Sequence, residues 1–232
     1  MALRTVLRSL VYSLVLLALV VTAFACKNDQ AVGLATGGGG GGGTPRTFVG
    51  VAASAGTESG AVSLTATPSA LSGSSSDTVT GTFALRGASA VTLAGTLDTS
   101  AGVLSASGNG YAVTATLSSG ALRGTYTGPT GQTGSFVALE GTAASVTALC
   151  GTYSGTSAGL VDFVSGSAGV SGEVSNTAGS ATTSGTLRGS SLSMTATGGT
   201  VFTGTLTGGS ANGTWVNGGD SGTWQAASCS AP

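Results

Sequence analysis

From about residue 47 onward one triplet recurs: a glycine, a small or polar residue that is usually threonine, then an apolar residue. It stands at Gly81-Thr82-Phe83, Gly95-Thr96-Leu97, Gly124-Thr125-Tyr126 and Gly134-Ser135-Phe136, and returns at Gly151-Thr152-Tyr153, Gly172-Glu173-Val174, Gly185-Thr186-Leu187 and Gly204-Thr205-Leu206. Trp215 and Trp224 complete the last two copies. A further apolar residue often stands two positions before the glycine, as Leu93, Leu122, Val170 and Phe202 do. In an extended chain, alternate side chains point to opposite faces. The apolar residues and the glycine therefore share one face, and the threonines take the other. No stretch after residue 26 has helical periodicity, and Glu and Lys, good helix formers, are scarce. The pattern predicts an all-β chain, an antiparallel meander of short Gly/Thr-rich strands forming one or two small barrels or sandwiches. Only 6% of residues are charged. So few charges guard strand edges poorly, and closure into barrels removes the edges altogether.

The two tryptophans lie in one hairpin, "GTWVNGGDSGTW" from Gly213 to Trp224. A tight turn with Gly218-Gly219 at its tip sets Trp215 opposite Gly222 and Gly213 opposite Trp224. Each indole then lies over a glycine of the neighbouring strand, the device known as aromatic rescue. The stretch from Gly124 to Phe136 repeats the arrangement. A loop at Pro129-Thr130-Gly131 pairs Tyr126 with Gly134 and Gly124 with Phe136. The strands before these hairpins align as well, with Leu117 preceding Gly124 by the same interval as Leu206 precedes Gly213. Two related β units follow, residues 47–145 and 146–232, each of roughly seven or eight strands.

The N-terminus reads as an export signal. Arg4 and Arg8 precede an uncharged stretch from Ser9 to Ala25, then Cys26. The apolar run is short for a spanning helix; an uncleaved membrane anchor is the alternative. Ala23-Phe24-Ala25-Cys26 resembles the lipobox of bacterial lipoproteins, which implies cleavage after residue 25 and acylation of Cys26. It departs from that pattern in having alanine at 23, where leucine is usual, and a bulky Phe24. Ala23-Phe24-Ala25 would equally serve an ordinary signal peptidase, leaving Cys26 without lipid. Lys27 after the cysteine implies, by the same resemblance, placement in the outer membrane. Residues 26–46 read as a tether, with seven consecutive glycines at Gly37–Gly43. About 20 flexible residues reach roughly 25 Å.

An odd cysteine in an exported chain needs an explanation, and there are three. With Cys26 acylated, Cys150 and Cys229 remain to form a disulfide, which an oxidising compartment permits. Two buried free thiols are the alternative. "GALRGTYTG" and "NGTWVN" loosely resemble strands of avidin-type barrels and of the barrel domains of bacterial surface lipoproteins. That resemblance covers single hairpins and transfers no ligand-binding residues.

Catalytic signals are few. The chain has no histidine, which removes the commonest general base and metal ligand. Gly155–Gly159, "GTSAG", has the form of a nucleophile elbow, but Ser157 has no histidine partner and no helix follows it. The acids Glu58, Asp77, Asp98, Glu140, Asp162, Glu173 and Asp220 are scattered singly, so no calcium or other metal site is expected and no cofactor. Two of them could meet only through the fold, as in a glycosidase. Asp162, between Val161 and Phe163, is expected to point to solvent. Arg86, Arg123 and Arg188 read as solubilising residues. With a formal net charge of −1 and no basic patch, nucleic acid is not an expected partner.

The expected protein is a surface-tethered, non-enzymatic envelope lipoprotein with a binding or interaction role. Its partners are membrane lipid through Cys26 and a glycan or an envelope protein. Trp215, Trp224 and Tyr126, with Tyr111, are the candidate ligand-contact aromatics, since paired rings can stack on a sugar. A structural coat role without a specific ligand is the alternative, with a glycosidase-type enzyme behind it.

Overall fold

The structure is a computed structural model that describes residues 43–54, 58–71 and 73–229. The signal stretch, Cys26 and most of the glycine tether lie outside the described residues.

The chain folds as two closed antiparallel barrels. The first contains β1 (Arg46–Ser54), β2 (Glu58–Thr67), β3 (Ser76–Leu85), β4 (Val91–Asp98), β5 (Val103–Gly108), β6 (Tyr111–Ser118), β7 (Ala121–Thr127) and β8 (Thr133–Glu140). The second contains β9 (Thr147–Gly155), β10 (Gly159–Gly166), β11 (Gly169–Asn176), β12 (Gly179–Arg188), β13 (Ser191–Ala196), β14 (Val201–Thr207), β15 (Ser210–Asn217) and β16 (Asp220–Ser228). Each strand pairs with the next, and the last closes on the first, β8 on β1 and β16 on β9. The all-β meander expected from the triplets is the observed fold, in its two-barrel form.

An even number of up-and-down strands returns the chain to the end from which it started. Arg46, Glu140, Thr147 and Ser228 therefore mark a root end, and the turns after β1, β7, β9 and β15 mark a tip end. The barrels pack side by side. At the tip Ser175 Oγ donates to Ser54 O at 3.3 Å, and at the root Gly166 lies against Leu139 and Val146.

Strand alternation explains the cores. Leu93 and Leu97, Leu122 and Tyr126, and Phe202 are buried inside, while Thr92, Thr125 and Thr203 face out and are exposed. This is apolar inside and hydroxyl outside, the reverse of a barrel that spans a membrane. Among the described residues no helix is long and apolar enough to cross a membrane.

The last hairpin has the expected register: Trp215 faces Gly222 and Gly213 faces Trp224. Gly218 takes φ +59° at the turn, which glycine adopts without strain. The rings reach further than pairing alone requires. Trp215 crosses Gly222 and donates its indole N–H to Ser154 O on β9 at 3.0 Å. A Cβ at position 222 would lie 2.6 Å from that nitrogen. Trp224 reaches Gly204 on β14 and donates to Thr203 O and Thr214 O at 3.1 and 3.2 Å. Glycine thus bares backbone that the ring covers and whose carbonyls it engages. In the first barrel Tyr126 faces Gly134 and Gly124 faces Phe136. Gly128 N donates to Gln132 O, closing the loop at Pro129–Gly131.

Candidate functional site

The candidate site is the seam between the barrels, where the outward faces of β1, β2, β7 and β8 meet those of β9, β10 and β11. Most strands alternate buried and exposed residues; β1 and β10 are buried on both faces over most of their length. Val51, Val137, Leu139, Val146 and Val164 form an apolar cluster there, outside both barrel interiors.

The polar side of the seam is unusual. Asp162 is fully buried and Glu173 nearly so, at 0% and 7% exposure, and the two face each other on β10 and β11. The expectation that Asp162 reaches solvent is incorrect. Alternation does place it outside its own barrel, with Val161 and Phe163 inside, but the first barrel covers that face. Asp162 Oδ2 accepts from Ser59 Oγ at 2.7 Å and Oδ1 from Gly151 N at 3.1 Å. Burial pushes its carboxyl up to about 7, against the opposing pull of those two hydrogen bonds, with the Glu173 charge adding to the rise and Arg86 reducing it. Glu173 accepts from Ser135 Oγ of the first barrel, and burial raises its carboxyl too. Beside it, Arg123 donates to Ser171 across the seam.

Grooves open along this seam, each lined from both barrels. One of about 370 Å³ is bounded by Ser59, Leu85, Arg86, Cys150 and Cys229. Another of about 390 Å³ lies on the far side of Cys229, against Val49, Val62, Val146 and Ala148. A third of about 470 Å³ is bounded by Thr116, Arg123, Ser171 and Ser184. The expected Cys150–Cys229 disulfide is present, linking β9 to the residue after β16.

The other sequence candidates are placed as follows. Trp215, Trp224 and Tyr126 are 3%, 2% and 1% exposed. Both indole N–H groups are engaged by backbone carbonyls, and burial pushes the Tyr126 hydroxyl up to about 12. Trp224 is among the residues around a polar depression of about 480 Å³ on β9, β15 and β16, but its ring points inward. Tyr111 stacks on Phe83 at the first barrel's tip and accepts from Gln132 Nε2 at 3.3 Å. Tyr153, near the tip end of β9, accepts from Asn176 Nδ2 at 3.1 Å. Ser157 lies in the turn between β9 and β10, so the strand-to-helix setting of a nucleophile elbow is absent there. Arg86 and Arg188 are exposed. Among the described residues no group of His, Cys, Asp and Glu could hold a metal ion.

The fold thus brings together two acids, Asp162 and Glu173, that sequence spacing leaves apart. A glycosidase needs two carboxyls flanking an open cleft; these are sealed in the seam, and both Asp162 oxygens are taken by Ser59 and Gly151. A signal for the seam does exist in the sequence. "FVGVAAS" in β1 and "LVDFVS" in β10 carry apolar residues at both parities, which marks strands covered on both faces. No protein family, curated protein or solved structure matches the chain.

Proposed function

We propose that the protein is an exported, lipid-anchored envelope protein whose twin-barrel body is a non-enzymatic binding or interaction module. The observation that carries this reading is the seam. Its grooves are built jointly by two barrels whose own interiors are filled with side chains, so partner contact belongs between the barrels rather than inside them. The lining is hydroxyls, small residues and single arginines, Arg86 in one groove and Arg123 in another. That chemistry suits a glycan or an extended peptide of an envelope protein. The chain enters β1 at the root end. A lipid on Cys26 would hold the body at the root end of the first barrel. Outer-membrane placement follows from Lys27 only through the lipobox resemblance.

One experiment with two readouts tests the reading. The full chain is expressed in a Gram-negative host, and its mature N-terminus is examined by mass spectrometry. An acylated Cys26, lost in Cys26→Ser, is expected; an unmodified Cys26 in the exported protein would refute the anchor. The same preparation is titrated against envelope glycans and peptides, beside Ala84→Trp, which fills the groove at Arg86. Binding weakened at least tenfold by the filled groove supports the module. Equal binding by both forms, or none by either, refutes it. The filled interiors also favour a structural coat role, which predicts reversible self-association in sedimentation.

A further inference from the structure

From the geometry of the seam we infer that the joint between the barrels is proton-operated: it is closed while Asp162 is neutral and loosens when Asp162 gives up its proton. The argument begins with hydrogen-bond chemistry. A neutral carboxyl suits this site fully. Asp162 Oδ1 accepts the Gly151 N–H at 3.1 Å, and Oδ2, 2.7 Å from Ser59 Oγ, can donate its own proton to that hydroxyl. A carboxylate keeps both contacts with the serine hydroxyl reversed, but it is then a fully buried charge, and burying a charge without an ionic partner is costly.

The charged groups around Asp162 do not supply that partner. Glu173 faces it from β11 and carries the same sign. From β9 come the Gly151 amide and Cys150, which is disulfide-bonded and does not titrate. From β2 comes the Ser59 hydroxyl. Ser135 of β8 is bonded to Glu173, and Arg123 of β7 to Ser171. β1 presents Val51 and Ala53, which carry no charge. Among the described residues Arg86, just beyond β3, is the cation whose field reaches Asp162, and it lies exposed in the groove. Its pull is smaller than the effect of burial.

The sign follows from linkage. Asp162 binds its proton more tightly when the seam is closed than when water reaches it. Closure is therefore favoured in full below the ordinary aspartate value of 3.8, weakens as pH rises, and has lost that contribution above about 7. The seam is also the only part of each barrel's outer face that the other barrel seals, so loosening it widens the grooves without breaking either barrel's ladders. Partner access on the neutral side of the transition would then be greater than on the acid side.

The test is hydrogen exchange of the Gly151 amide, measured on the full chain across pH 4–8 and divided by the intrinsic rate at each pH. The control is the Leu206 amide, bonded to Ser190 O on the opposite side of the second barrel. The opening equilibrium at Gly151 should rise roughly tenfold per pH unit and level off near 7, while Leu206 shows no such slope. Asp162→Asn, whose amide can donate to Ser59 and accept from Gly151, should lose the rise that levels off near 7 and keep at most the slope that the raised Glu173 carboxyl contributes. Glu173→Gln should keep the rise near 7. A Gly151 profile no steeper than that of Leu206, a rise near 7 surviving in Asp162→Asn, or one lost only in Glu173→Gln would overturn the inference. Should Asp162→Asn not fold, Ser59→Ala decides. It removes a bond that favours the carboxylate, so the levelling point must move to higher pH, and an unmoved one is equally fatal.

Discussion

The two barrels have the same strand number and order and similar aromatic–glycine pairs, yet different clips close them. In the first, β1 meets β8, and Arg46 grips Glu140 through Nε and Nη2 at 2.9 and 2.6 Å across 94 residues of sequence. In the second, β9 meets β16, and Cys150 is joined to Cys229 across 79. Both clips sit toward the root, on the one strand pair in each barrel that joins its two ends. A meander builds the other pairs from neighbours, with short turns. The closing pair alone must bring the whole unit's length together, and loop-closure entropy opposes it most there. In a chain with so few charges and cysteines, cross-links placed on both closing pairs identify closure as the weak step of this architecture.

The largest test of that comparison is the disulfide. Closing a loop of this length lowers the denatured-chain entropy by the equivalent of about 4.5 kcal/mol. Reduction, or the Cys150→Ala/Cys229→Ala double variant, should therefore destabilise the second barrel by that order. Both tryptophans belong to that barrel, so their fluorescence reports it alone. Its urea midpoint should fall well below the wild-type value, with circular dichroism retaining a later phase from the first barrel. A reduced protein whose fluorescence midpoint is unchanged would show that the clip does not govern closure.

Next in size are the glycines beneath the rings, where the barrels should behave alike. A methyl group at Gly222 would meet Trp215 Nε1 and Ser154 O, and one at Gly134 would meet Tyr126 Cε1 and Ala53 O. Overpacking of this kind costs about 1–3 kcal/mol. Gly222→Ala and Gly134→Ala should each reach the upper part of that range in urea melts. Gly219→Ala, where nothing lies within 4 Å of the added methyl, should stay within about 0.5 kcal/mol. A tolerated Gly222→Ala would show that the ring does not need its bare seat.

These glycines mark how far the sequence could be read. Trp215–Gly222 and Tyr126–Gly134 were legible because a Gly-Gly tip and a Pro-Thr-Gly loop fix register, and register decides every cross-strand neighbour. The disulfide was legible by cysteine count together with the lipobox resemblance. Asp162 was not. Periodicity tells which residues leave the barrel interior, and it did so correctly for Asp162; it does not tell whether a second body lies outside. The pairing of Asp162 with Glu173 was hidden for the same reason, since each acid stands alone in its own strand. Val49, Val51 and Val164, apolar on the outward parity, were the available clue. The indoles' bonds to Ser154 O and Thr203 O were also out of reach, because they depend on how far a ring extends over the next strand.

The smallest effect, and the sharpest contrast between the clips, lies at Arg46 and Glu140. The pair is bidentate but about one-third exposed, at 32% and 39%. Solvent screens such a pair, and about 1 kcal/mol is its expected contribution. Hydrogen bonding to Arg46 holds the Glu140 carboxyl below its usual value of 4.5. A lowered folded-state value means that the contribution is present above pH 4.5 and is lost as pH falls through the folded value. Asp162 has the opposite sign, because its folded value is raised. Acidification should therefore loosen the first barrel's clip while it tightens the seam beside it, and leave the disulfide untouched. Glu140→Gln should cost the first barrel about 1 kcal/mol at pH 7 in low salt, with a smaller loss in 1 M salt, where exposed charges are screened. Fluorescence from the second barrel should not respond to the same variant. If it does, the seam transmits closure from one barrel to the other, and the two clips act on one cooperative unit rather than on two.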